Sequence, residues 1–378
     1  MTGSRSPDVV IVGGGVIGCG IAYFLAAHHG ATCLIVERDA VASGASGGAA
    51  GELGAVGRHR YSERFTRFLL EGIRMHEEMA PALVEESGVD YLLSDIPLLR
   101  PAFDADEAAD LQAQMVWQQE IGIGVEWVDE SQLRAMYTWL APDAVGAAYT
   151  VEKQLEAYPF AIALAQAAEK RGVEIRTAEA SGVMRDGGRA TGVTLSGGGR
   201  VDAGAVVVAN GPWSQHTAGW LGMDVPVQPL RGQIVHVSPP AGVPMPRHAI
   251  FHETGYLLPK AGGDLLVGTT QEFAGFDPRP TREAQDGILE AVIRLAPQVI
   301  DAPIRDLTAC LRPYSADEMP ILGAVPGGEG LYLATGHGYK GVTLALATGK
   351  SMAQLIAAGA PQADLGDEFS PARFAALA

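Results

Sequence analysis

A four-residue apolar run, Val9 to Val12, leads into Gly13-Gly14-Gly15 and then into a stretch with helical spacing from Val16 to His29, which Gly30 closes. A second apolar run, Thr32 to Val36, ends on the acid Glu37. Short, unbroken apolar runs suit strands buried on both faces, so strand, tight turn, helix and second strand make one β-α-β unit. Gly13, Gly15 and Gly18 take the three glycine places of G-x-G-x-x-G: the turn, the close approach of a pyrophosphate, and the packing of helix on strand. The N–H groups of Val16, Ile17 and Gly18 lack helical partners and sit at the positive end of the helix dipole, which suits an anion. Glu37, about twenty residues on, is placed to accept from ribose hydroxyls. The unit predicts a bound dinucleotide.

The pattern does not recur as a second such unit. Gly336-His337-Gly338-Tyr339-Lys340-Gly341 follows an apolar strand over 331–334 and precedes a helix over 342–358, but no second strand ending in an acid follows. Two readings stand: an ordinary glycine turn, or a helix start that aims its positive end at a ring gaining negative charge on reduction. Between these ends lie a Gly/Ala/Ser-rich loop over 43–57, helices over 64–87, 107–120 and 159–171, and a strand over 173–177. Hairpin strands over 182–201 follow, then a buried strand over 206–209 that ends in Asn210-Gly211-Pro212-Trp213. Alternation with prolines over 225–268 reads as antiparallel sheet. The fold class is therefore α/β: a discontinuous Rossmann-like unit with an inserted α+β part built on an antiparallel sheet. The expected boundaries are 1–90, 147–222 and 306–378 for the cofactor unit, and 91–146 and 223–305 for the substrate unit. The tail after Gly359 reads as loosely held.

The chain has 27 Lys and Arg against 44 Asp and Glu, a net charge of −17. That surface repels phosphate backbones and excludes nucleic acid as a natural partner. No apolar run approaches the ~18 residues of a membrane span. Cys19, Cys33 and Cys310 are widely spaced, with no metal-ligand or disulfide pattern, so the expectation is no metal and a reducing cytoplasm. Self-association is left open. On so acidic a chain a carboxylate substrate needs a local cation. Arg312, in Leu311-Arg312-Pro313, is the candidate for a two-point grip, and the competing reading is a structural salt bridge to Asp317 or Glu318.

Taken in order, the N-terminal fingerprint, Ser46-Gly-Gly-Ala-Ala-Gly51, the stretch from Leu311 to Gly323 and the Gly336-His-Gly338 motif resemble the D-amino-acid oxidase superfamily of FAD-dependent enzymes, in its glycine oxidase, sarcosine oxidase and amino-acid dehydrogenase branches. The resemblance spans nearly the whole chain. It implies extended FAD, with Glu37 on the adenosine ribose, Arg38 near the adenine and Val183 offering backbone to it. Ser43, Ser46, Gly48 and Ala49 would lie along the pyrophosphate or flavin, and Asn210, Gly211 and Trp213 count with the cofactor residues, Trp213 as packing rather than as a substrate lid. Gly336, His337, Gly338, Tyr339, Lys340 and Gly341 would sit at the pyrimidine edge. Arg312 and Tyr256 match one carboxylate grip of the family, Arg58 and Lys340 a second, and the first is preferred for its Leu-Arg-Pro context.

Three departures bear on chemistry. Gln271 stands where glycine oxidase has Met, which implies a larger or more polar substrate. The strand Leu265-Leu-Val267 lacks the oxygen-activating Lys of sarcosine oxidase. Cys310 aligns with a cysteine that bonds flavin covalently, so a covalent link and a noncovalent cofactor beside a buried thiol both remain open. The implied reaction is hydride transfer from the α-carbon of a small amino acid or N-alkyl amino acid to the flavin, with imine hydrolysis after it. Electrons pass to oxygen or, alternatively, to a quinone or carrier protein. His252 and His337 are candidate polar neighbours of the substrate or structural histidines.

Overall fold

The computed structural model describes residues 6–54, 60–359 and 365–377. One sheet has six strands in the order Ile321–Ala324, Leu331–Thr335, Ala205–Val208, Val9–Val12, Cys33–Glu37 and Glu174–Thr177. It is parallel except at the Ile321–Ala324 edge. Side chains alternate across it, as a period of two requires. Val9 and Ile11 pack with the helices Val16–His29, Ala157–Lys170 and Gly341–Ala358, while Val10 and Val12 pack with Ala190, Val193 and Val201. The latter three belong to a separate antiparallel sheet of Ala180–Asp186, Arg189–Leu195 and Gly199–Asp202. Both faces are therefore dry, and the strands read as unbroken apolar runs for that reason.

The second large sheet has eight strands: Ile304–Ser315, Val227–Val237, Leu265–Gly268, Gly255–Pro259, Ala249–His252, Ser94–Ala102, Gly146–Gln154 and Val125–Asp129. Its pairs are antiparallel save Ala249–His252 against Ser94–Ala102. Leu257, Val235 and Val267 turn to one face, against Ile288 and Val292 of the helix Arg282–Leu295. Tyr256, Leu258 and Ile234 turn to the other, beside Ala50 and Phe251. That second face fronts the cavity described below.

The expected helices and strands of the first unit occur within a residue or two of their expected ends, and Gly30 closes its helix in the left-handed region at φ 62°. Other readings differ. Gly146–Gln154 and Ile304–Ser315, which the expected boundaries give largely to the cofactor unit, hydrogen-bond into the eight-stranded sheet. The tail is not loose over 365–377: Phe369 is fully buried against Phe65 and Phe68 at ring-centroid distances of 5.9 and 5.4 Å. Arg373 also pairs with Asp317 at 2.8 Å.

Candidate active site

A cavity of about 500 Å³ runs between the two large sheets, from Glu37 and Arg38 at one end to Tyr256, Gln271 and Arg312 at the other. That volume is typical of ligand sites. At the first end the fingerprint is built as its glycines require. A Cβ on Gly18 would collide with the Gly13 carbonyl, so only glycine lets the helix start lie on the strand. Gly14 N donates to Glu37 Oε2 at 2.7 Å and Asp39 N donates to Oε1 at 2.9 Å, which fixes the carboxylate against the cavity wall. The N-cap Gly15 supplies no side-chain cap, no acid stands in the first turn, and Val16 N donates to Ser46 Oγ at 3.1 Å. The helix mouth is thus shaped for an anion. The Arg38 guanidinium lies over the Trp213 ring at 4.7 Å.

The cavity reaches Gly13, Gly15, Val16, Ile17, Glu37, Arg38 and Ser43 of the expected cofactor set, then Ser46, Gly48, Ala49, Asn210, Gly211 and Trp213. His337, Gly338, Tyr339, Lys340 and Gly341 line it further along. Gly18 and Gly336 lie behind the wall, Gly18 packing the helix start on the strand and Gly336 in a turn at φ 73°. Val183 does not reach it: it packs with Val10, Val12, Ala190, Val193 and Val201, and Ala178, Glu179 and Ala180 line the wall instead. The Val183 expectation therefore sat too far along the strand. Trp213 is half-buried at the wall rather than in the core.

Cys310 and Arg312 stand two residues apart on one strand and so share its cavity face, while Leu311 between them is buried on the other side. The Arg312 guanidinium lies across Gly232 of the neighbouring strand, where any side chain would collide with it. Its nitrogens donate to Thr270 O at 3.1 Å and Thr269 Oγ1 at 3.0 Å. Asp317 is taken by Arg373, and Glu318 accepts from Tyr314. No carboxylate among the described residues pairs with Arg312, so the structural salt-bridge reading falls. Tyr256 is buried beside it, stacked on Phe251 with centroids 5.0 Å apart. Burial pushes its hydroxyl above the ordinary tyrosine range, and Arg312 opposes that shift. Burial likewise raises the Cys310 thiol, whose Sγ donates to Gly48 O at 3.5 Å. Gln271 is exposed at the rim.

The remaining candidates separate. His337 is buried, bonded through Nε2 to Thr348 Oγ1 at 3.1 Å, and desolvation pushes it down to about 3, so its ring is neutral. His252 is not a cavity residue. Strand alternation gives the cavity to Phe251 and turns His252 toward Thr254, bonded at 2.9 Å, and Glu107. Lys340 lines the cavity, but its Nζ donates to Gly54 O at 2.8 Å. Arg58 lies outside the described residues. Sequence reading passed over Glu52, whose signal was a lone acid within the Gly/Ala/Ser-rich loop, directly after Gly51; it lines the cavity, as do Tyr256 and Lys340. Thr269, which holds the guanidinium, was missed as well.

A family model described as FAD dependent oxidoreductase matches residues 8–355. The chain is 32% identical to the glycine oxidase of Geobacillus kaustophilus over 92% of each protein. The crystal structure of glycine oxidase from that organism superposes with a TM-score of 0.91, covering 97% of this chain and 98% of that one at 30% identity. The hydrogen cyanide synthase subunit HcnC of Pseudomonas aeruginosa is 27% identical over 93% of each.

Proposed function

The chain belongs to the FAD-dependent oxidoreductase family, as an amino-acid oxidoreductase, and we propose that it oxidises the C–N bond of a small amino acid or N-alkyl amino acid with oxygen as electron acceptor. The observation that carries the substrate is Arg312: a cation at the cavity wall, braced by Thr269 and Thr270, with no carboxylate of its own among the described residues. The fingerprint end fits FAD on its own geometry, through a helix mouth with a glycine N-cap and no acid in its first turn, and through the fixed Glu37 carboxylate. Gly15, Val16 and Ser46 would hold the pyrophosphate, Glu37 the ribose, and Gly338 to Gly341 the flavin edge. When bound, the flavin supplies the acceptor for the α-carbon hydride, and the resulting imine hydrolyses in water.

Arg312 grips the substrate carboxylate with paired N–H donors, and Tyr256 supports the same group. Together they fix the α-carbon, and that positioning is the protein's main contribution. Gln271 at the rim leaves room for a polar side chain. The oxygen assignment is supported by the similarity to glycine oxidase.

The test is an anaerobic screen of the yellow protein with glycine, sarcosine, proline and D-amino acids. At least one bleaches the flavin, and readmitted air restores the colour with one peroxide per turnover. Bleaching that only an added dye or quinone reverses would move the enzyme to the dehydrogenases. No bleaching by any of them would sink the substrate class.

We further propose that the flavin is noncovalent. A thiolate is the reactive form of cysteine, and burial keeps Cys310 protonated. Acid precipitation should leave the yellow colour in the supernatant. Colour retained in the washed pellet, and lost from the pellet of Cys310→Ser, would establish a covalent bond instead.

A further inference from the structure

One acid of the cavity wall, Glu52, stands beside a second, Glu152, and the amino-acid oxidation proposed above uses neither. The loop Gly51 to Gly54 is tied to the strand Gly146–Gln154: Leu155 N donates to Gly51 O at 2.9 Å, Leu53 N donates to Lys153 O at 2.8 Å, and Glu52 bridges Gln154. That pairing brings the carboxyls of Glu52 and Glu152 together over Gly54. A Cβ there would meet Glu52 Oε1 and stand 2.9 Å from Glu152 Oε2, so glycine leaves space for the pair. Arg100 of the strand Ser94–Ala102 donates to Glu152 Oε1 at 2.9 Å, with side chains only 13% and 9% exposed. Among the described residues Glu152 Oε2 is buried and has no donor unless Glu52 carries a proton.

Two carboxyls so close cannot both ionise at ordinary pH. Arg100 decides which one does. Burial and the Glu152 charge push Glu52 well above the usual carboxylate range, while Arg100 and the Glu52 hydrogen bond hold Glu152 below it. The other groups facing Glu52 come from separate elements. Lys340 lowers it, bonded to Gly54 O. Lys260 donates to Ala50 O and Leu155 O, and burial pushes it down to about 8. Tyr61 and Tyr256 are both kept neutral by burial. The result is one proton on an acid that lines the same cavity as Arg312.

Resting on the amino-acid reading above, we propose that Glu52, paired with Glu152, takes the proton from the substrate's ammonium, so that the amine is neutral when its C–H bond breaks. The bookkeeping closes in two steps. A docking zwitterion places its ammonium against the pair, the Glu52 O–H bond breaks and that proton leaves to solvent. The ammonium N–H bond then breaks, its electron pair stays on nitrogen, and the proton forms a new O–H bond on Glu52. Arg312 and the acid pair thus read the two ends of one amino acid.

The experiment uses flavin-loaded protein and 2-methylalanine, which has no α-hydrogen to lose, with isobutyrate as the amine-free control. Calorimetry in buffers of different ionisation enthalpy counts protons. Wild type should release about one proton per bound 2-methylalanine and none per isobutyrate. Glu52→Gln should abolish the release, leave isobutyrate affinity intact, and slow anaerobic flavin reduction by glycine by roughly 10²–10⁴-fold, the usual range for a lost acid–base group. Its rate should also move to higher pH, where solvent deprotonates the amine. Should Glu52→Gln fail to retain flavin, Glu152→Gln serves: it removes the charge and the hydrogen bond that help burial keep the proton on Glu52, so release should fall below the wild-type value while glycine still reacts. Proton release and reduction rate unchanged in these variants would overturn the role of Glu52 alone. A wild type bleached by no amino acid would overturn the reading beneath it as well.

Discussion

Arg312→Ala should raise KM for an amino-acid substrate roughly 30-fold to a few thousand-fold, the equivalent of about 2–5 kcal/mol for a buried charge-paired contact, while flavin stays bound. The effect is large because the guanidinium is already placed. Thr269 and Thr270 brace it and Gly232 gives it a bed, so the free protein spends little on ordering it when substrate arrives. Arg312→Lys should fall between, since an ammonium keeps the charge and loses the two-point fork. Steady-state kinetics on the best substrate, with the visible spectrum as a check on flavin content, reads both variants. A KM within twofold of wild type in Arg312→Ala would remove the guanidinium from carboxylate binding.

Phe369→Ala should destabilise the protein by about 3–5 kcal/mol, the usual range for truncating a fully buried phenylalanine. The residue lies beyond the last long helix, yet it is fully buried and packs on Phe65 and Phe68 of the helix Glu63–Ser87. Its carbonyl also accepts from Leu322 N at 2.7 Å, which ties the segment to the edge strand of the six-stranded sheet. Urea unfolding followed by far-ultraviolet circular dichroism measures the loss. A change below 1 kcal/mol would mean that the segment decorates the core rather than completing it.

The cofactor end was legible because its physics is local. Gly13, Gly15, Gly18 and Glu37 fall within one β-α-β unit, and the turn, the helix mouth and the acid that ends the second strand are fixed by spacing along some thirty residues. The strands Ser94–Ala102, Val125–Asp129 and Gly146–Gln154 escaped notice. They are shorter on pattern and gain their identity from pairing with one another and with Ala249–His252, far along the chain. The same reason hid Glu52. Nothing near it in sequence says that Glu152 will stand beside it, a hundred residues on, or that Arg100 will decide which of the two holds the proton.

What the amino-acid order determined alone was the glycine turn before the first helix, the strand periodicities and the candidacy of Arg312, since each depends on neighbours a few residues away. Tertiary structure decided the rest. It sent Asp317 to Arg373 and so left Arg312 without a carboxylate among the described residues, turned His252 away from the cavity and Phe251 toward it, and buried Phe369. Those outcomes turn on which charge or ring arrives from a distant strand, and burial multiplies the energy of each such meeting well beyond what local preference can foretell.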